Sequence, residues 1–188
     1  MRPRGKTRRA VFTVLTVLWL IKPSVDTRDG ADLIRSRIGL EAHARIITPE
    51  QDIAEEYRKI GAYDVIISDE AQFFTPAQID QLRALVDEEE IPVLCFGLRT
   101  DFLTRFFPGS QRLMELADSL TEIKTVCACG SKATVNARID ASWRIVTSGG
   151  QILLGGNDSY VAMCHRCWKR QIRAQAGQLS VEGYFPEK

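Results

Sequence analysis

The sequence predicts an α/β protein in which a parallel sheet is followed by a small cysteine-bearing lobe. From about residue 48, continuous apolar runs alternate with segments whose apolar residues recur at helical spacing. Continuous apolar strands are typical of a parallel sheet that helices cover on both faces. After Lys124 this alternation gives way to paired cysteines, short β-like runs and Gly-Gly pairs. We therefore place a boundary near Val126, between a core of residues 1–126 and a lobe of residues 127–188 that includes a C-terminal helix.

The composition is that of an ordinary globular protein. The 188 residues suffice for one core, or for one core and a small appendage. Hydrophobic residues make up 45% of the chain and charged residues 26%, and the net charge is +1. A charge so close to zero does not indicate bulk attraction to nucleic acid or to a membrane surface. We expect neither as a partner.

Two predicted helices begin with the same pattern, Thr-Pro-x-Gln. Thr48 and Thr75 each stand as an N-cap, followed by proline at the first helical position and glutamine at the third. Gly61 ends the first helix, and Ser110 is predicted to cap a third. The predicted inward faces are Ile53, Tyr57 and Ile60, then Ile79, Leu82, Leu85 and Val86, then Leu113, Leu116, Ala117 and Leu120.

Buried strands are predicted at residues 65–67 and 91–97. In open parallel sheets, ligands bind at the carboxyl ends of the strands. The residues that follow these two strands therefore share one rim of the sheet: Asp69, Glu70, Arg99, Thr100 and Asp101. The pattern assigns no role to Arg99 or Asp101.

The N-terminal segment has two interpretations. Five Lys or Arg residues lie within the first nine, and the apolar run Val11–Ile21 follows. This order also occurs in secretory signal peptides, but Lys22-Pro23 follows where a cleavage site of small residues would be expected. Eleven residues with two threonines are too few to span a bilayer. We favour a buried strand, because Val, Phe, Thr, Leu and Trp suit one.

An acidic pair follows the first predicted strand in Asp69-Glu70-Ala71-Gln72-Phe73-Phe74. Carboxylates at a strand end can order Mg²⁺ and accept a proton from a hydroxyl group. The two phenylalanines could form an aromatic wall for a flat ligand. Ordinary surface exposure of the acids and core packing of the rings are the alternatives.

Four of the five cysteines fall in two close pairs, Cys127-x-Cys129 and Cys164-x-x-Cys167. Together they can supply four thiolates to a tetrahedral Zn²⁺, and a site closed in this way is structural. Cys95 lies in an apolar run and is predicted to be a small core residue. His165 is interpreted as an exposed neighbour of the second pair.

Two glycine motifs are individually weak signals. Gly5-Lys6-Thr7 has the form of the end of a phosphate-binding loop, although a basic leader could contain it by chance. Gly155-Gly156-Asn157-Asp158-Ser159-Tyr160 would let the backbone approach a ligand, or would form a plain turn before the second cysteine pair.

Taken in order, these motifs resemble the thymidine kinases of the zinc-containing, cytosolic type. The resemblance runs from about Lys22 to Trp168. Six motifs carry it: KPSVDTR at 22–28, SRIG at 36–39, DEAQFF at 69–74, PVLCFGLRTDF at 92–102, KTVCACGSKA at 124–133 and GGNDSYVAMCHRC at 155–167. Each motif is modest alone, but six in one order are specific.

The resemblance implies a RecA-like P-loop kinase core, a zinc-ribbon lobe, and transfer of phosphate from Mg-ATP to thymidine. Glu70 matches the general base. The implied phosphate and magnesium residues are Gly5, Lys6, Thr7, Asp26, Arg28 and Asp69. The implied thymidine-contacting residues are Phe73, Phe102, Leu154, Gly155, Gly156 and Tyr160. Cys127, Cys129, Cys164 and Cys167 match the ligands of a structural zinc. A homotetramer in the cytoplasm is implied as well.

The start of the chain departs from the family pattern. The family's loop has the form G-x-x-x-x-G-K-[ST] after a first strand, and no residue stands five positions before Gly5. We therefore expect the chain as written to bind ATP poorly and to phosphorylate thymidine slowly or not at all. Two alternatives remain from other classes: an inactive relative that binds thymidine or its triphosphate, and a zinc-ribbon module that binds nucleic acid.

Overall fold

The computed structural model describes residues 16–26, 32–35, 38–61, 63–152 and 160–177. Its central element is a four-stranded parallel sheet, which confirms the predicted α/β class. The strands lie in the order β4 (Arg45–Ile47), β1 (Leu18–Pro23), β5 (Val65–Ser68) and β6 (Val93–Cys95). A hairpin of β2 (Leu33–Arg35) and β3 (Glu41–His43) precedes β4. Strand β1 begins within the predicted apolar segment and extends two residues beyond it, to Pro23, while residues 11–15 of that segment are outside the described residues.

Three helices pack with the sheet around one core. They are α1 (Ile53–Ile60), α2 (Pro76–Glu89) and α3 (Pro108–Leu116). Trp19, Ile21 and Ile66 point from the strands into this core and meet Tyr57 and Leu85 of the helices. Leu94 and Phe96 alternate with the core-facing residues of β6 and are exposed. Among the described residues, helices therefore cover one face of the sheet rather than both.

Helix α1 does not begin where the sequence predicts. Asp52 is its N-cap, and the Asp52 carboxylate accepts a hydrogen bond from the backbone N–H of Glu55 at 2.9 Å. The predicted cap, Thr48, lies in a turn, because the buried Gln78 amide donates to the carbonyls of Thr48 and Gln51 at 2.8 and 3.0 Å. The predicted end at Gly61 and the predicted start of α2 at Thr75, with its complete capping box, are confirmed.

Helix α3 begins at Pro108, with Phe107 as its N-cap, so the predicted cap at Ser110 is wrong. The Ser110 hydroxyl instead donates to the Leu98 carbonyl at 2.6 Å, which anchors the helix to the segment after β6. The helix ends at Leu116, and Ala117 and Leu120 are exposed rather than inward-facing.

The C-terminal part of the described chain has a separate hydrophobic cluster. Two antiparallel strand pairs, β7 (Thr125–Val126) with β8 (Lys132–Ala133) and β9 (Val135–Arg138) with β10 (Tyr160–Met163), precede α4 (His165–Gln175). The cluster contains Val135, Met163, Trp168 and three of the cysteines, and it shares no residue with the sheet core. None of the helices in the described ranges is both long and apolar enough to cross a bilayer.

We predict that Gly109→Ala destabilises the protein, although the same change inside a helix normally stabilises by about 1 kcal/mol. The N-terminus of α3 docks so closely that a Cβ on Gly109 would lie 2.5 Å from the Phe74 carbonyl oxygen and 2.8 Å from that of Gln72. Both atoms are backbone, so relief requires the helix to move, at a cost of about 1–3 kcal/mol. Urea denaturation measures the change.

Gln111→Ala is the matched control on the same helix. Gln111 is exposed, and its side chain donates to Glu115 at 3.3 Å. Its replacement is expected to change stability by no more than about 0.5 kcal/mol. A Gly109→Ala variant as stable as the wild type would show that α3 is not tightly docked.

Candidate active site

The predicted acidic pair lies directly beyond β5. The backbone N–H of Asp69 donates to the Ile21 carbonyl at 3.1 Å, which fixes the end of β5 against β1. Glu70 adopts the left-handed conformation, with φ 49° and ψ 36°, and its N–H donates to the Asp69 carboxylate at 2.9 Å. Non-glycine residues seldom adopt this conformation, and such strained positions recur at functional sites. The chain thus turns sharply at Glu70 and holds both carboxylates at the strand end.

A buried amide, which the sequence analysis missed, holds the Glu70 carboxylate. The Gln72 side chain is 1% exposed, and its Nε2 donates to Glu70 Oε2 at 2.5 Å. Its Oε1 accepts from the backbone N–H of Leu98 at 3.0 Å. Gly97 makes this possible, because a Cβ there would lie 2.4 Å from Gln72 Oε1. Gln72 and Gly97 were visible in the sequence, but nothing local indicated that they meet.

A buried ion pair lies at the adjacent end of β1. Lys22 Nζ lies 3.4 Å from Asp26 Oδ2 and donates to the Leu33 carbonyl at 2.9 Å. Because β1 and β5 are parallel neighbours, Asp26 follows a strand that ends at the same edge of the sheet as Asp69 and Glu70. Carboxylate oxygens are the ligands that Mg²⁺ prefers, so the donor set at this edge fits the predicted ion. Arg28 lies outside the described residues, as do Gly5, Lys6 and Thr7.

The loop after β6 is organised by Asp101, to which the sequence assigned no role. Asp101 Oδ1 accepts hydrogen bonds from the backbone N–H groups of Leu103 and Arg105, both at 2.9 Å. Its Oδ2 accepts from Gln151 Nε2 of the C-terminal lobe at 3.2 Å. Asp101 therefore shapes the loop that carries Phe102 and joins it to the second lobe.

The loop at Asp140 repeats that geometry within the C-terminal lobe. Asp140 Oδ1 accepts from the N–H groups of Ser142 and Arg144 at 2.8 and 2.9 Å. Thr104 and Trp143 occupy equivalent left-handed positions, with φ 65° and 59°. The shared sequence Asp-x-x-x-Arg was a signal that sequence reasoning did not use.

The three described aromatic residues predicted to bind the base differ in their surroundings. Phe73 is partly buried and meets Phe107 edge-on, with ring centroids 5.5 Å apart. Phe102 is 1% exposed, and the Arg138 guanidinium carbon lies 3.8 Å from its ring centroid. Tyr160, at the start of β10, is partly buried. Leu154, Gly155 and Gly156 lie outside the described residues, and a role of any of these residues in binding a base stays a prediction.

Arg138 is the second residue that sequence reasoning missed. It lies at the end of β9, opposite Tyr160 in the strand register. Its Nε and Nη2 donate to the Tyr160 hydroxyl at 3.0 and 2.8 Å. The same guanidinium donates to the carbonyls of Gly150 and Gln151 at 3.0 and 3.3 Å. Arg138 thus connects two of the predicted base-contacting residues, Phe102 and Tyr160.

The four predicted metal ligands come together in the C-terminal lobe. The Sγ atoms of Cys127, Cys129, Cys164 and Cys167 all lie within 4.8 Å of one another, and those of Cys129 and Cys164 are 3.7 Å apart. Four sulfurs at about 2.3 Å from a central zinc would be about 3.8 Å apart, so the cluster fits a tetrahedral site. Hydrogen bonds with Ser131 lower the pKa of the Cys129 thiol to about 6, which favours the metal-binding thiolate.

The remaining cysteine and the neighbouring histidine lie apart from the cluster. Cys95 is in β6 and packs against the sheet core, where burial raises the pKa of its thiol to about 11. An uncharged thiol at this position agrees with the prediction that Cys95 is a core residue. His165 is exposed at the start of α4, and its ring lies against Trp168 with centroids 5.5 Å apart.

Comparison with known proteins gives one consistent result. The family model for thymidine kinase matches residues 7–168. A thymidine kinase of Ruegeria pomeroyi is 45% identical over 154 residues, which are 80% of this chain and 78% of that protein. A thymidine kinase of Legionella pneumophila (strain Lens) is 46% identical over 155 residues, covering 80% of this chain and 74% of that protein. A thymidine kinase of Yersinia pseudotuberculosis is 43% identical over 154 residues, covering 80% and 78%. The chain belongs to the thymidine kinase family.

Proposed function

We propose that this chain is an ATP:thymidine 5′-phosphotransferase, which transfers the γ-phosphoryl group of ATP to the 5′-hydroxyl of thymidine. The observation that carries the proposal is the Glu70 carboxylate, held in a left-handed turn beyond β5 by the buried Gln72 amide. A carboxylate fixed in this way at a strand end is placed to accept a proton from a substrate hydroxyl.

Glu70 is the general base of this reaction. It accepts the 5′-hydroxyl proton while the 5′-oxygen bonds to the γ-phosphorus and the bond to the ADP oxygen breaks. Phosphoryl transfer depends on positioning and charge neutralisation more than on covalent chemistry. Magnesium supplies that neutralisation when bound, and Asp69 would order its ligand shell. Gly5, Lys6 and Thr7 would contact the phosphates of ATP, and Asp26 and Arg28 would flank them.

Thymidine recognition is assigned to the loop after β6 and to the C-terminal lobe. Phe73 and Phe102 would flank the base. The Tyr160 side chain and the backbone of Leu154, Gly155 and Gly156 would contact its edge. Phe102 is 1% exposed and has the Arg138 guanidinium against its ring at 3.8 Å, so contact with a base would require part of that ring to be uncovered.

The cysteine cluster is assigned a structural Zn²⁺. Cys127, Cys129, Cys164 and Cys167 would fill all four positions of the ion, which leaves no open position for catalysis. The ion would join the turn after β7 to the start of α4. It would thereby fix β10, which ends at Met163, and with it Tyr160.

The wider organisation follows from the same assignment. We propose a kinase core of residues 1–126 and a zinc lobe of residues 127–188, assembled as a homotetramer in the cytoplasm, with no nucleic-acid or membrane partner. The separate hydrophobic clusters of the two parts support the boundary. The family match over residues 7–168 counts against a nucleic-acid-binding zinc module. Only activity separates the kinase from an inactive relative that binds thymidine.

We predict that Glu70→Gln lowers the rate of phosphate transfer to thymidine by about 100-fold or more, because a positioned general base contributes about 10²–10⁴-fold. The glutamine can still accept the hydrogen bond from Gln72, so the local fold should persist. The measurement is transfer of labelled γ-phosphate from Mg-ATP to thymidine by the purified chain.

Glu90→Gln is the matched control, because Glu90 also has a left-handed backbone, with φ 55°, and is exposed beyond α2. This variant should transfer phosphate at the wild-type rate. A Glu70→Gln enzyme of wild-type activity would remove Glu70 from the mechanism. A wild-type chain that binds thymidine but transfers no phosphate would instead support the inactive relative.

We predict about one zinc ion per chain, because four thiolates fill one tetrahedral site. Cys164→Ser should lose most of the metal and lower the melting temperature, because binding of a structural zinc contributes directly to folding. Zinc content by mass spectrometry and thermal denaturation measure the two effects.

Cys95→Ala is the control for the loss of a thiol, because Cys95 lies in β6, away from the cluster. It should retain the wild-type zinc content. Metal-free wild-type protein with an unchanged melting temperature would refute the structural role of the ion.

A further inference from the structure

Arg138 is a buried cation whose partners, among the described residues, are neutral. The residue is 6% exposed. Its hydrogen bonds go to the Tyr160 hydroxyl and to the carbonyls of Gly150 and Gln151. Within the described part of the chain, no carboxylate forms an ion pair with it. Burial of a charge without a counter-ion is costly, so a residue that served packing alone would be better apolar.

The hydrogen bonds from Arg138 determine which further hydrogen bond the Tyr160 hydroxyl can form. A tyrosine hydroxyl can donate its proton and can also accept a hydrogen bond. Arg138 donates to the oxygen from both Nε and Nη2, at 3.0 and 2.8 Å. Both N–H groups belong to one guanidinium and reach the oxygen from the same side, so the hydroxyl proton is directed away from the cation. The Tyr160 hydroxyl is therefore oriented as a donor, and a third partner on its other side must offer an acceptor oxygen.

The same guanidinium orients Phe102 across the boundary between the lobes. Its central carbon lies 3.8 Å from the ring centroid, within the range of a cation–π contact. The neighbouring Asp101 carboxylate accepts from Gln151, whose own carbonyl accepts from Arg138. Arg138 thus fixes Tyr160 on β10 relative to the loop after β6. A lysine could keep the charge but not the planar fork of donors.

We propose that Arg138 is a positioning residue for the nucleoside: it sets the orientation of Phe102 and presents the Tyr160 hydroxyl as a donor to an oxygen of the bound nucleoside. This inference rests on the proposed function, because Phe102 and Tyr160 are assigned there to thymidine. It assigns Arg138 to nucleoside binding and gives it no part in ATP binding or in proton transfer.

The test measures thymidine affinity by calorimetry without ATP, and the KM for each substrate and kcat in the transfer assay. The variants are Arg138→Lys, Arg138→Met, Tyr160→Phe and the double variant Arg138→Met/Tyr160→Phe. Arg144→Met is the matched control: this exposed arginine of the same lobe also donates to a neutral acceptor, the Gln175 carbonyl, at 3.5 Å. Thermal denaturation of each variant identifies any that does not fold.

Both Arg138 variants and Tyr160→Phe should weaken thymidine binding and raise its KM by about tenfold, the cost of one or two hydrogen bonds. The KM for ATP and the control variant should be unchanged. Because Arg138 acts through Tyr160, the thymidine Kd of the double variant should exceed that of Arg138→Met by no more than about twofold. If Arg138→Met does not fold, Arg138→Lys and Tyr160→Phe carry the test.

Unchanged thymidine affinity in the Arg138 variants would overturn the inference while leaving the proposed function intact, even if their stability fell. Additive losses in the double variant would also overturn it, since Arg138 would then not act through Tyr160. A wild-type chain that binds thymidine but transfers no phosphate would refute the proposed function alone. A wild-type chain that does not bind thymidine would refute both.

Discussion

The buried amide of Gln72 is the interaction on which the rest of the site depends. It donates to the Glu70 carboxylate and accepts from the Leu98 backbone, so the ends of β5 and β6 are held by one side chain. Gly97 must lack a Cβ for the amide to fit. The Leu98 carbonyl in turn accepts from Ser110, which anchors α3. The position of the proposed base therefore follows from backbone contacts on two strands and one helix, rather than from a flexible side chain alone.

A second set of contacts joins the C-terminal lobe to that strand edge. Asp101 organises the loop after β6 and accepts a hydrogen bond from Gln151, while Arg138 lies against Phe102 and bonds to Tyr160. Strand β10 leads from Tyr160 directly into the second cysteine pair. A metal bound by the cysteines would therefore act on nucleoside recognition through strand geometry, at a distance from the reacting atoms. This arrangement gives a physical reason for placing a structural ion in a kinase.

The sequence predicted those features that local signals specify. The α2 start at Thr75 is such a case, because its capping box lies within four residues. The cysteine set was also predictable from spacing. The failures are contacts across the chain: Gln78 holds the Thr48 turn from 30 residues away, and the Ser110 hydroxyl bonds to a carbonyl 12 residues earlier. Arg138 was missed for the same reason, since an arginine in a short strand is ordinarily exposed and only the fold places it between two aromatic rings.

The role of Glu70 is tested most directly by a crystal structure of the chain with thymidine and a non-hydrolysable ATP analogue. We predict that the 5′-oxygen of thymidine lies about 2.6–3.2 Å from a carboxylate oxygen of Glu70, within hydrogen-bond reach. Gln72 should still donate to that carboxylate. Thymidine bound at the carboxyl edge of the sheet but with its 5′-oxygen out of reach of Glu70, or bound elsewhere on the molecule, would show that Glu70 is not the general base.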